Sequence, residues 1–121
     1  MKIKNGYIVN KTVHRRDVVD LPVGEYTIKP YYEEGKTFLN ATGAGAEVIL
    51  PDATVGRMHT FRSTGSGSTI TITPQATDTI LTSSLAAGDS LVNTEVGEIT
   101  LVCHVDTKWM VDNVIGAWTG V

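Results

Sequence analysis

Cysteine is nearly missing from this chain: Cys103 is the only one in 121 residues, so no disulfide within the chain can staple the fold. Aromatic side chains are scarce at 7%, and they are not aligned as a platform for stacking sugars or bases. Basic excess is missing too. A net charge of −3 and a pI near 5.5 argue against a nucleic-acid partner, whose first sign would be a basic face. No run approaches the ~20 apolar residues of a membrane-spanning helix, so no membrane partner is expected. Met1-Lys-Ile-Lys4 lacks the apolar stretch of a secretory signal, which leads us to expect synthesis and retention in the cytosol.

Thr, Ser, Gly, Asn and Ala fill the space left by these absences. The mixture suits short strands joined by tight turns, because β-branched Thr fits a pleated surface and Gly supplies positive φ. The length predicts one domain with one modest core. Charge is unevenly spread. Through residue 16 the charged side chains are Lys2, Lys4, Lys11, Arg15 and Arg16, leaving five bases against thirteen acids for the rest. A basic N-terminal arm on an acidic body either neutralises an acidic partner surface or is a solvated end.

Period-2 alternation dominates, with no helical stripe of useful length. Ser68-Thr-Ile-Thr-Ile-Thr73 is the clearest strand, with Ile70 and Ile72 facing one way, and Pro74 stops it. In Glu98-Ile-Thr-Leu-Val-Cys-His-Val105 the inward set is Ile99, Leu101, Cys103 and Val105. Asp106-Thr107 reads as a hairpin turn into Lys108-Trp-Met-Val-Asp-Asn113, which adds Trp109 and Val111 to the apolar face. Further strands are expected at residues 25–29, 36–39, 47–50, 57–62 and 78–81. The Gly/Ser cluster at residues 64–68 reads as a hairpin loop. About eight short strands at intervals near ten residues predict an all-β fold, a small antiparallel sandwich or barrel. We expect an extended N-terminal arm over residues 1–20, a β-domain over 21–113 and a short apolar C-terminal tail over 114–121. No internal repeat is evident: His14, His59 and His104 are evenly spaced, but their flanks share nothing.

Catalytic and metal-binding constellations find no support. The histidines are far apart, and His104 beside Cys103 points to the opposite sheet face. No Gly-x-Ser-x-Gly elbow occurs, and Cys103 lies mid-strand in an apolar run, as a core residue does. Residues 64–68 lack the Gly-Lys-Ser/Thr ending of a phosphate loop and lead into a strand instead of a helix. The aspartates fall mostly in turns, where Asp bonds its own backbone. The expectation is no catalytic residue, no metal and no cofactor. The segment Val114-Ile-Gly-Ala-Trp-Thr-Gly-Val121 is different, since it ends the chain on apolar, uncharged side chains. Left free it would be a sticky patch, so it packs on its own domain or docks on a neighbour. The second is favoured, because the last hairpin already looks complete at Asn113.

From Gly43 to Asn113 the chain has a recognisable cadence: Val48-Ile-Leu-Pro51, Ala53-Thr-Val-Gly-Arg-Met-His-Thr-Phe61, Gly65-Ser-Gly-Ser-Thr-Ile-Thr-Ile-Thr-Pro74. It continues with Asp78-Thr-Ile80, Leu85-Ala-Ala-Gly-Asp-Ser90, a Val/Leu-rich strand and Lys108-Trp-Met-Val111. This order resembles the β-rich modules of tailed-bacteriophage virion proteins, both tail-fibre or tailspike segments and head-fibre or capsid-decoration proteins. The resemblance implies a structural protein without enzymatic activity, a homotrimer and a place in the virion after synthesis in the host cytoplasm. Members often have Gly after Asp-Thr-Ile, where this chain has Leu81-Thr82.

The short chain suits a capsid-decoration (cement) protein that oligomerises and binds the major capsid protein or another virion protein. Val114, Ile115, Trp118 and Val121 are the expected oligomer interface, and Lys2, Lys4, Arg15 and Arg16 the expected capsid-docking residues. The alternative is a tail-fibre or receptor-binding module contacting a host glycan or protein through residues 64–68 and 82–90.

Overall fold

The computed structural model describes residues 17–65, 67–82, 85–93 and 95–120. Two sheets pack face to face, and neither closes on itself. The larger sheet contains β1 (Val18–Asp20), β3 (Thr37–Asn40), β5 (Met58–Ser63), β9 (Gly97–Val105), β10 (Lys108–Ile115) and β7 (Thr79–Leu81), in that spatial order. The smaller contains β11 (Trp118–Gly120), β8 (Leu91–Asn93), β6 (Ile70–Thr73), β4 (Ala46–Ile49) and β2 (Gly24–Thr27). The all-β sandwich is as expected; the barrel alternative is not what forms.

The expectation of an antiparallel fold holds for only half of the molecule. The first six strands alternate between sheets, so the chain winds as a coil. Val18 lies opposite Thr37 and Thr37 opposite Thr60, at intervals of 19 and 23 residues; Gly24 lies opposite Ala46 and Ala46 opposite Ile70, at 22 and 24. All four pairings are parallel. Parallel neighbours need a long crossover, and here each crossover contains the strand of the other sheet. From β8 onward antiparallel pairing enters, β8 against β6, β9 against β5, β10 against β9 and β11 against β8, while β10 also runs parallel to β7. The Gly/Ser cluster at residues 64–68 is therefore no hairpin loop. It carries the chain from β5 in the larger sheet to β6 in the smaller one.

Alternation builds the core. Burial follows period 2 along β3, β4, β5, β6 and β9, with one face inward. Successive turns of the coil stack like on like: Phe38 lies beside Phe61 with ring centroids 5.5 Å apart, and Phe61 is opposite Ile99. In the smaller sheet Val48, Ile72 and Leu91 form the matching row. Trp109 and Cys103 are buried as anticipated, and Val111 packs partly against the core. Val105 is the exception at 58% exposed. The ladder slips between Lys108 and Met110, and that bulge brings Val105 out of phase with Cys103.

At the ends of the chain the boundaries move. Residues 18–20, placed in the arm, form β1 against β3. Val114 and Ile115, expected to open a tail, are the last residues of β10, and Trp118–Gly120 pair with β8 of the same chain. Residues 1–16 and Val121 lie outside the described residues.

Candidate interface on the outer face of the larger sheet

The outer face of the larger sheet is organised as three rows across β5, β9 and β10, because paired residues of neighbouring strands share a face. The middle row is polar: Thr60 is opposite Thr100, which is opposite Asn113, and the two threonine hydroxyls are 2.9 Å apart. One flanking row is ionic at its start. The Arg62 guanidinium donates to the Glu98 carboxylate at 2.6 and 2.8 Å, and Glu98 is opposite Ile115. On the other flank runs an apolar row through four adjacent strands, Met58–Val102–Met110–Leu81. Met58, Met110 and Leu81 remain 42%, 39% and 42% exposed, so no part of the described chain covers them.

Beyond the ionic row the sheet ends in a tightly built corner. Gly97 and Gly116 let the segments before β9 and after β10 touch backbone to backbone. Trp118 is half-buried against the core and donates its indole N–H to the Ile115 carbonyl at 3.1 Å. This corner holds Val96, Val114 and Ile115 exposed beside a shallow groove of about 370 Å³, walled by Arg62, Val96, Glu98 and Ile115. The structure thus brings Val114, Ile115 and Trp118 together, with the indole supporting the corner and both aliphatic side chains exposed, Ile115 on the outer face beside Glu98 and Val114 on the opposite face beside Ile99. Lys2, Lys4, Arg15, Arg16 and Val121 lie outside the described residues.

The apolar row escaped sequence reading because alternation assigns those positions to solvent. A signal was present. Leu101-Val-Cys103 and Trp109-Met-Val111 are apolar without interruption, the pattern of strands covered on both faces.

His59 is fully buried among Phe38, Phe61 and Trp109, and burial pushes its pKa down to about 4, helped by the Arg57 charge and opposed by Glu33. Burial raises the Cys103 thiol, holding it in the protonated, unreactive form. Among the described residues no three His, Cys, Asp or Glu side chains gather as a metal site would require. Ser68 is anchored inward, with the Ser63 hydroxyl donating to its carbonyl at 2.6 Å and the Gly43 amide donating to its hydroxyl at 2.8 Å.

The β2–β3 turn presents Tyr31 and Tyr32 at more than four-fifths exposure, with Tyr31 at φ 72°. Buried Glu33 pins this turn: its carboxylate accepts the Lys29 amide at 2.7 Å and the Tyr26 hydroxyl. Burial, then the Glu33 hydrogen bond, raises the Tyr26 pKa. No family model matches the chain, and no curated protein matches it.

Proposed function

We propose that this chain is a structural virion protein of a tailed bacteriophage, a capsid-decoration module that associates with copies of itself on the head. The observation that carries the reading is the exposed apolar row Met58–Val102–Met110–Leu81, with the corner of Val96, Val114 and Ile115 at the far end of the sheet beyond the polar and ionic rows. A flat sheet face with an apolar row beside polar and ionic rows has the anatomy of a protein interface, an apolar strip with a polar rim. Its occupant in this reading is a second subunit, and the motif cadence from Gly43 to Asn113 supports a trimer. A decoration protein acts by mass action: binding only the assembled shell stabilises it by about 2.7 kcal/mol per site at a hundredfold excess over Kd.

The test is sedimentation of the full chain with and without the substitutions Met110→Lys and Ile115→Asp, together with co-sedimentation on phage heads. We expect a wild-type oligomer that binds heads and folded variants whose association and head binding are both weakened. A wild-type chain that stays monomeric at high concentration and ignores heads refutes the proposal.

The exposed Tyr31–Tyr32 pair favours a second reading, a receptor-binding module of a tail fibre, since tyrosine faces stack on sugar rings. The contact would then be the β2–β3 turn in place of residues 64–68 and 82–90. Glycan-array binding lost in Tyr31→Ala, without head binding, selects this reading.

A further inference from the structure

Strand β2 is the outermost strand of the smaller sheet and pairs with β4 on one side. Along its other side runs an open groove of about 680 Å³ lined by Glu25, Tyr26, Thr27, Ile28, Lys29 and Tyr32. Successive strand residues point to opposite faces, so a groove touching consecutive residues lies along the strand's edge and not over a sheet face. The Gly24 and Ile28 amides donate inward, to the carbonyls of Gly45 and Ile49. By alternation, the Glu25 and Thr27 amides point out into the groove. Such an edge is a template for an added strand.

Charge indicates what that strand is. All thirteen acids of the chain lie after residue 16, while the first sixteen residues hold five bases and no acid. Asp17 and Glu25 are exposed in the first turn of the coil, and the groove's own cation, Lys29, sits 3.3 Å from the Tyr26 hydroxyl and over its ring. The coil also needs only an extended segment to continue, because β1 and β2 have no further turn beyond them among the described residues.

We propose that the basic N-terminal segment of a second copy of this chain, residues 2–16, adds along the free edge of β2. Its backbone accepts the Glu25 and Thr27 amides, apolar side chains from the set Ile3, Tyr7 and Val9 enter the groove between Tyr26 and Tyr32, and its cations meet Asp17 and Glu25. The exchange holds subunits together through a contact separate from the outer face of the larger sheet, and it stands whether the assembly decorates a head or a tail.

Amide hydrogen exchange on the full chain over a range of concentrations tests this. The Glu25 and Thr27 amides should exchange at least about tenfold more slowly in concentrated than in dilute solution, while Gly24 and Ile28 stay protected throughout. Reversing Lys2, Lys4, Lys11, Arg15 and Arg16 to glutamate should abolish the concentration dependence, with Gly24 and Ile28 reporting that the fold is intact. Thr27→Pro gives an independent check, since it removes an outward N–H without touching the β4 ladder, and it should also abolish the effect. Fast exchange of Glu25 and Thr27 at every concentration overturns the proposal. Protection that ignores dilution overturns it as well, since the strand then comes from the same chain. Unchanged protection in the charge-reversed chain, or of Glu25 in the Thr27→Pro chain, does the same.

Discussion

His59 lies against Trp109 with ring centroids 5.7 Å apart, and neither the imidazole nitrogens nor the indole N–H makes a hydrogen bond among the described residues. A neutral imidazole tolerates this surrounding; an imidazolium does not. With the folded pKa near 4 and the ordinary value 6.5, the unfolded chain takes the proton first. The contribution of His59 is therefore complete above pH 6.5 and is lost as pH falls from 6.5 to 4. The loss totals about 3 kcal/mol and levels off below pH 4. Urea unfolding of wild type and His59→Phe at pH 7 and pH 4 measures it: the wild type should lose that much more than the variant. Equal losses would mean that His59 does not sense acid.

Gly116 faces the segment before β9 so closely that a Cβ there would sit 2.5 Å from the Val96 carbonyl oxygen and 3.0 Å from the Gly97 Cα, with φ at +85°. Gly116→Ala therefore meets both a backbone clash and a strained dihedral. It should cost about 1–3 kcal/mol in urea unfolding. Gly65→Ala is the control, because nothing lies within 4 Å and the backbone is not left-handed there; it should be nearly neutral. A neutral Gly116→Ala would show that the corner is looser than its geometry.

The hairpin of β9 and β10 was legible in the sequence because its partners are adjacent, joined by Asp106 and by Thr107 at φ 71°. The strands β4, β5, β6 and β9 were legible for a related reason: each buries one face, and a buried face writes an alternating pattern. The coil was not. Parallel partners lie about twenty residues apart, and a turn of coil asks only for apolar residues in phase, which many sequences satisfy without repeating. Its one trace is the dipeptide Thr37-Phe38, which recurs in register as Thr60-Phe61. Of the candidate interface, Ile115 and Val114 could be found as apolar residues late in the chain. The row through Met58 and Leu81 could not, since it exists only once four strands are placed side by side.

Asn40 joins two turns of the coil from a fully buried position. Its amide donates to the carbonyls of Ala44 and Thr69, both at 2.8 Å, and its carbonyl oxygen accepts from the Thr42 amide and hydroxyl at 3.1 and 2.8 Å. Asn40→Ala strands these groups and should lower stability by about 1–3 kcal/mol. Asn40→Asp should be worse at neutral pH, since a carboxylate would face the two carbonyls it once donated to. Denaturant midpoints of the three proteins at pH 7 give the order, and an Asp variant as stable as wild type would contradict it.

Glu33 fixes the turn that displays Tyr31 and Tyr32, and it reaches back to Tyr26 to do so. Glu33→Ala removes the acceptor of the Tyr26 hydroxyl and of the Lys29 amide, both part-buried contacts, and leaves the hydroxyl only the Lys29 ammonium at 3.3 Å. The stability loss should again be about 1–3 kcal/mol. A second readout separates this contact from general packing. Burial is the larger cause of the raised Tyr26 pKa and the Glu33 hydrogen bond the next. In the variant the Tyr26 phenol should therefore titrate at lower pH than in wild type, as ultraviolet absorbance of single-tyrosine variants would report. A titration that does not move would mean that Glu33 anchors the turn through the Lys29 amide alone.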